Sequence, residues 1–178
     1  SNRGLRGKGW IIYLPSATLA HDFHFYPDSM ITALARSFRI DPQMAGIEYP
    51  SVAGDTILQV WYAYRDTMQL ASIKKPFRFY DDKALFYGEL VYTPDGLYGD
   101  GKMAFESVEL ASENYKFRHH TIDADLLDFK LRAKGSNDLA VSAENYRTHV
   151  DFETRTVEFK TNRKGSEVSF PFNNFVCS

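Results

Sequence analysis

Gly4-Leu5-Arg6-Gly7-Lys8-Gly9 and Gly96-Leu97-Tyr98-Gly99-Asp100-Gly101 share the pattern G-L-x-G-x-G and lie 92 positions apart. Outward from them the similarity continues. Ile11 and Tyr13 meet Met103 and Phe105 at the same offset, and Phe23 and Phe25 meet Tyr115 and Phe117. Ala17 and Leu19 match Val108 and Leu110 at an offset of 91, as do Ile31 and Ala33 with Ile122 and Ala124, and Phe38 and Ile40 with Phe129 and Leu131. Farther on, Ile57, Met68 and Leu70 fall opposite Tyr146, Val157 and Phe159, and Phe79 opposite Phe170. Self-similarity at a fixed period is the signature of a repeated unit. The one-residue shifts are read as insertions in turns.

Most matched positions are two apart, which is the period of a strand with one buried face. Ser29 to Phe38 offers the one helical alternative, because Ile31, Leu34, Ala35 and Phe38 sit at helical spacing behind Asp28. The second copy carries Asp125 and Asp128 against Leu34 and Ser37, so only the period-two set survives in both. A slip near Arg36 and Leu127 reads as a β-bulge. Turns are expected at Tyr26-Pro27-Asp28-Ser29, Thr93-Pro94-Asp95-Gly96, Glu153 to Arg155, and Arg163-Lys164-Gly165-Ser166. The six glycines Gly4, Gly7, Gly9, Gly96, Gly99 and Gly101 are read as turn or bulge positions that let neighbouring layers approach.

The fold expected is all-β. Two stacked units, residues 4–95 and 96–178, form one extended β-solenoid or open β-slab behind an N-terminal edge of residues 1–3. A β-sandwich or jelly roll is the alternative. The chain opens on Ser1-Asn2 and stops after Phe175-Val176-Cys177-Ser178, which reads as a segment excised from a longer polypeptide. Open sheet ends are association sites, so the expected partners are neighbouring repeats or further copies of the chain.

Composition narrows the function. A formal charge of -2, with no concentrated run of Lys and Arg, argues against nucleic acid. The single cysteine, Cys177, allows neither an intrachain disulfide nor a cysteine metal cluster. No apolar run reaches the ~20 residues a membrane-spanning helix needs.

Candidate chemistry is sparse. His21 and His24 face apart on a strand, and His119-His120 reads as a turn, so no metal site is expected. Asp123 and Asp125 share a face, but the first copy holds no acid at those places, and a solvated face accounts for them. No nucleophile elbow is present, and the glycine pattern lacks the Lys-Ser/Thr ending of a phosphate loop. It also precedes a strand rather than a helix, unlike a dinucleotide fingerprint. No catalytic residue and no cofactor are therefore expected. Trp10, Tyr13, Trp61, Tyr62 and Tyr64 are the candidates for an aromatic groove that binds lipid or glycan. Trp10, Ile12 and Leu14 make Trp10 to Leu14 apolar on both faces, as though covering a neighbouring module or ligand.

The segments GLRGKG, DFHFYPDSM and SAENYRTHVDFETRTVEFKTN resemble repeat segments of very large cell-envelope proteins of Gram-negative bacteria. Ser142 to Asn162 is also similar to OstA-like periplasmic lipopolysaccharide-transport domains. The first resemblance implies a structural or interaction module in the envelope or periplasm. The second implies an open β-slab with an apolar groove for acyl chains.

Overall fold

Alternating side chains, frequent aromatics and closely spaced turns leave the backbone one economical way to satisfy its N–H and C=O groups, a ladder between neighbouring strands. The computed structural model describes residues 4–42, 46–133, 135, 138–162, 165–170 and 175–177. Among the described residues it is all-β, with fifteen strands in one antiparallel sheet. The strands are β1 (Leu5–Tyr13), β2 (Ser16–Phe25), β3 (Ser29–Ile40), β4 (Val52–Gly54), β5 (Ile57–Tyr62), β6 (Thr67–Ser72), β7 (Phe77–Phe79) and β8 (Ala84–Thr93). They continue as β9 (Gly96–Phe105), β10 (Val108–Phe117), β11 (Thr121–Arg132), β12 (Leu139–Asp151), β13 (Thr156–Thr161), β14 (Glu167–Phe170) and β15 (Phe175–Cys177). A single 3-10 turn, Ala63–Arg65, joins β5 to β6. Among the described residues no helix is long and apolar enough to cross a membrane, a statement that does not extend to strands.

The chain meanders, and the long strands each serve two short ones. β3 pairs with β5 through Ser29 to Ala35 and with β4 through Phe38 to Ile40. β12 pairs with β13 through Tyr146 to Asp151 and with β14 through Ser142 to Glu144. β8 takes β7 on its first residues and β6 on its last, and runs along its whole length beside β9.

The pairings of the two halves coincide. Leu5↔Phe25, Gly9↔Ala20 and Tyr13↔Ser16 become Leu97↔Phe117, Gly101↔Ser112 and Phe105↔Val108 when 92 is added to every number. Both ladders skip at one place, between Gly7 and Gly9 and between Ser112 and Tyr115. Ala35↔Ile57 and Met30↔Trp61 correspond to Leu127↔Tyr146 and Ile122↔Val150. Phe77↔Phe86 corresponds to Val168↔Cys177. Left-handed backbone recurs at equivalent places too, at Leu14 and Glu106, Leu34 and Leu126, Thr56 and Asn145, and Asp66 and Arg155.

This register corrects the sequence alignment. The buried residues of β2 and β3 are Ser16, Thr18, Ala20, Met30, Thr32, Ala35, Phe38 and Ile40, whereas Ala17, Leu19, Ile31 and Ala33 occupy the other face. The matching residues are therefore Ser16 with Val108 and Met30 with Ile122, one place from the alignment read above. Apolar identity was a poor guide here because the first half hides Ser16, Thr18 and Thr32 and shows Leu19 and Ile31 on the outer face. A one-residue slip turns a whole strand over. Nor do the turns carry the insertion: Leu14-Pro15 and Glu106-Ser107 are loops of equal length. The extra residue sits inside β3, where Ser37 has a φ of 52° between the buried Ala35 and Phe38. The turns at Tyr26 to Ser29, Thr93 to Gly96 and Glu153 to Arg155 form as expected. Arg163 and Lys164, like residues 1–3, lie outside the described residues.

The sheet curls so that its inner face packs on itself. Tyr13 of β1 contacts Trp61 of β5 and Tyr92 of β8, with ring centroids 6.4 and 5.5 Å apart. Its hydroxyl donates to the Asp66 carbonyl at 2.7 Å. Tyr80, after β7, stacks on Phe152 at 4.4 Å and donates to the Thr121 carbonyl at 3.0 Å. Phe77, Phe79, Phe86, Leu90, Leu97 and Leu127 are fully enclosed, each contributing roughly 1.5–3 kcal/mol.

Of the six glycines singled out, Gly96 ends the β8–β9 hairpin turn, whereas Gly7, Gly9, Gly99 and Gly101 lie inside strands rather than in turns. Gly4 immediately precedes β1, and strand neighbours press on Gly7, Gly99 and Gly101: a Cβ on Gly99 would stand 2.7 Å from the Phe117 ring. The tightest approach joins the halves. Gly88 and Gly101 are paired across β8 and β9 with φ of 158° and 153°, and a Cβ on either would lie 2.8 Å from the other's Cα. Gly101→Ala is expected to cost about 3 kcal/mol in urea denaturation, from clash and forbidden backbone together. A loss below about 1 kcal/mol would contradict the close approach.

Thr32 and Gln59 face one another across β3 and β5, both fully buried, and neither the Thr32 hydroxyl nor the Gln59 amide atoms find a partner among the described residues. Unpaired buried polar groups destabilise. Gln59→Met should accordingly raise stability by about 1 kcal/mol in the same assay, and a decrease of that size would show the amide to be satisfied.

Candidate functional site

The most developed polar surface lies on the outer face of β10 to β13. Alternation turns Lys116, Asp123, His149 and Glu158 to that face, and the register lines them up across four strands. The His149 Nδ1 and Asp123 Oδ1 atoms are 2.7 Å apart, and Arg118 Nε approaches Asp123 Oδ2 at 3.4 Å. One row away, Arg147 Nε donates to Asp125 Oδ1 at 2.9 Å. Apart from Arg118, these side chains line a groove of about 340 Å³ together with Asn114 and Lys160. Opposite charges on neighbouring strands support the sheet as well as any ligand.

An imidazole held by a carboxylate can move a proton. Acyl or glycosyl transfer would also need an outward nucleophile or an unpaired acid. The hydroxyl lining the groove belongs to Thr148, which is 2% exposed because its neighbours Arg147 and His149 face outward. Asp123 and Asp125 share a face, as their spacing indicated, and are engaged by Arg118 and Arg147, while Glu158 is a third acid lining the groove, opposite His149 in the register. Among the described residues no group of three or more His, Cys, Asp or Glu side chains could hold a metal ion.

The same positions in the first half are apolar. Asp123, Asp125, Arg147 and His149 correspond through the register to Ile31, Ala33, Leu58 and Val60. Beside them a shallow groove of about 100 Å³ is lined by Leu58, Val60, Gln69, Ala71, Glu89 and Val91.

The aromatic candidates divide. Tyr13 and Trp61 meet on the inner face beside Tyr92, where Tyr49 also packs, 5.0 Å from Tyr92, and donates to the Thr93 carbonyl. Burial pushes the Tyr13 phenol up, and the Asp66 contact adds to it. Trp10 stands on the opposite face, 56% exposed, with Ile12 at 78% and Leu14 at 44%. Tyr62 lies under the Arg65 guanidinium, and Tyr64 projects from the 3-10 turn. His24 pairs with Asp22 at 3.0 Å, and this hydrogen bond holds the Asp22 carboxyl below its ordinary value. His119 and His120 occupy the β10–β11 turn with ring centroids 3.8 Å apart. Sequence reasoning missed Arg147 and His149. They carry no motif, and only the β11–β12 register brings them to the aspartates.

No protein-family model, curated protein or solved structure matches the chain. What the coordinates define is a class, an all-β protein built on one antiparallel sheet.

With side-chain exposures of 40% and 42%, the His149–Asp123 pair is strongly screened. Asp123→Asn is expected to change unfolding free energy by less than about 1 kcal/mol. A loss of several times that in chemical denaturation would make the pair a structural anchor instead.

Proposed function

We propose that this chain is a non-enzymatic structural and interaction module: two copies of one β unit, residues 4–95 and 96–178, that extend a β-scaffold within a larger protein of the bacterial envelope. The observation that carries this reading is recurrence of backbone pairing without recurrence of polar chemistry. Pairs such as Leu5↔Phe25 and Leu97↔Phe117 coincide, whereas the charged groove of β10–β13 has Ile31, Leu58 and Val60 at its equivalent positions. A unit whose repeated property is its ladder is suited to stacking on its own kind. The envelope location rests on the sequence resemblance to Gram-negative repeat segments.

Enzyme assays test the reading directly. Purified protein incubated with glycoside, ester, peptide and phosphoester substrates should show no turnover beyond that of a double variant carrying Asp123→Asn and His149→Ala. Turnover abolished by either substitution overturns it.

A further inference from the structure

Strand β1 has the backbone of β9 without the neighbour that β9 possesses. β9 lies between β8 and β10, whereas among the described residues β1 pairs with β2 alone. Gly101 needs its φ of 153° because Gly88 and the Tyr87 carbonyl press against it. Gly9, its equivalent, has a φ of 150°, yet a Cβ there would meet nothing within 4 Å. A glycine-only conformation is thus present on a strand that, among the described residues, is paired on one side.

The outward side chains point the same way. Edge strands are ordinarily guarded by charge. At the positions where β9 carries Lys102 and Ala104, β1 shows Trp10 and Ile12, and the turns that follow hold Glu106 and Leu14.

We propose that β1 is the acceptor edge for a ten-residue antiparallel strand with the chemistry of β8, supplied by another unit of the same plan and carrying a glycine opposite Gly9. This rests on the repeat-module reading and adds the partner and its register. The β8–β9 pairs Leu85↔Ala104, Tyr87↔Lys102, Gly88↔Gly101 and Glu89↔Asp100 set that register. Transferred to β1, they put Leu85 beside Ile12, Tyr87 beside Trp10, glycine on Gly9, and Glu89 opposite Lys8. Two aromatic or aliphatic pairs form on the outer face. A repulsive acid–acid pair in β8–β9 becomes an attractive acid–base pair. Cross-strand pairs of these kinds stabilise a ladder, and strand addition supplies main-chain hydrogen bonds along the edge.

The probe is a synthetic peptide of residues 84–93, acetylated and carrying a fluorophore on an added C-terminal lysine, titrated into the full chain and followed by anisotropy. Saturable binding is expected, with hydrogen-exchange protection confined to Leu5–Tyr13. Gly88→Val in the peptide leaves the protein untouched and should weaken binding at least tenfold. Lys8→Glu in the chain should weaken the native peptide about two- to fivefold, and a Glu89→Lys peptide should restore the loss. Absence of saturation, equal binding of the Gly88→Val peptide, or protection outside β1 overturns the proposal. So does a concentration-dependent dimer through β1 that excludes the peptide in sedimentation. Failure of the peptide alone removes this edge and leaves the module reading standing, which only enzymatic turnover removes.

Discussion

The β8–β9 ladder joins the halves of this protein in a single sheet, and two glycine α-carbons facing one another across it allow its close approach. Side chains at Gly88 or Gly101 would strike the opposite backbone, and both residues adopt φ values that other amino acids avoid. Because the approach is close, β8 stays paired with β9 along its length, from Leu85 to Thr93. That length is what lets β6 and β7 share the far side of β8 and lets Phe86, Leu90 and Tyr92 enter the core. Loosening the seam would separate Phe86 from Phe117, a contact that crosses it.

The ladder is the invariant of the design, and side chains vary on it. Equivalent left-handed positions are filled by Leu14 and Glu106, by Thr56 and Asn145, and by Asp66 and Arg155, pairs with little chemistry in common. Left-handed backbone costs about 1–2 kcal/mol for a residue other than glycine. Leu34 and Leu126 share a residue type, but recurrence at the other three pairs ties the bulges and hairpin turns to sheet geometry more than to side-chain identity. Strong twist and curl need such interruptions. The interior tolerates similar latitude: Ser16 and Thr18 occupy in the first half the places of Val108 and Leu110 in the second.

On the outer face the halves have diverged furthest. One shows aliphatic side chains around Leu58 and Val60, the other an alternating set of charges centred on Asp123 and His149. Both faces rest on closely similar backbone pairings, so the ladder accommodates either set of side chains. The aspartates were readable as neighbours from their spacing on one strand. Their partners were not, because Arg147 and His149 come from a strand whose register depends on the bulges at Leu126 and Asn145. The aromatic set divides for a more local reason: Trp10 and Tyr13 are three apart, and an odd spacing within β1 sends them to opposite faces.

Strand character, the turns at Tyr26 to Ser29 and Thr93 to Gly96, and the offset of 92 between the glycine motifs were all written in local sequence, since alternation and turn chemistry act over a few residues. Which side of each strand is buried was decided only by the assembled sheet. Ala17 and Leu19 or Ser16 and Thr18 would serve equally as a local pattern, and the pairings Tyr13↔Ser16 and Ile11↔Thr18 choose between them. Tertiary structure alone also placed the extra residue at Ser37, the charged groove across β10–β13 and the pairing of β1 with β2 alone among the described strands. The physical reason is common to all three: a strand's period says that two faces differ, whereas hydrogen-bond register between distant segments says which face is which.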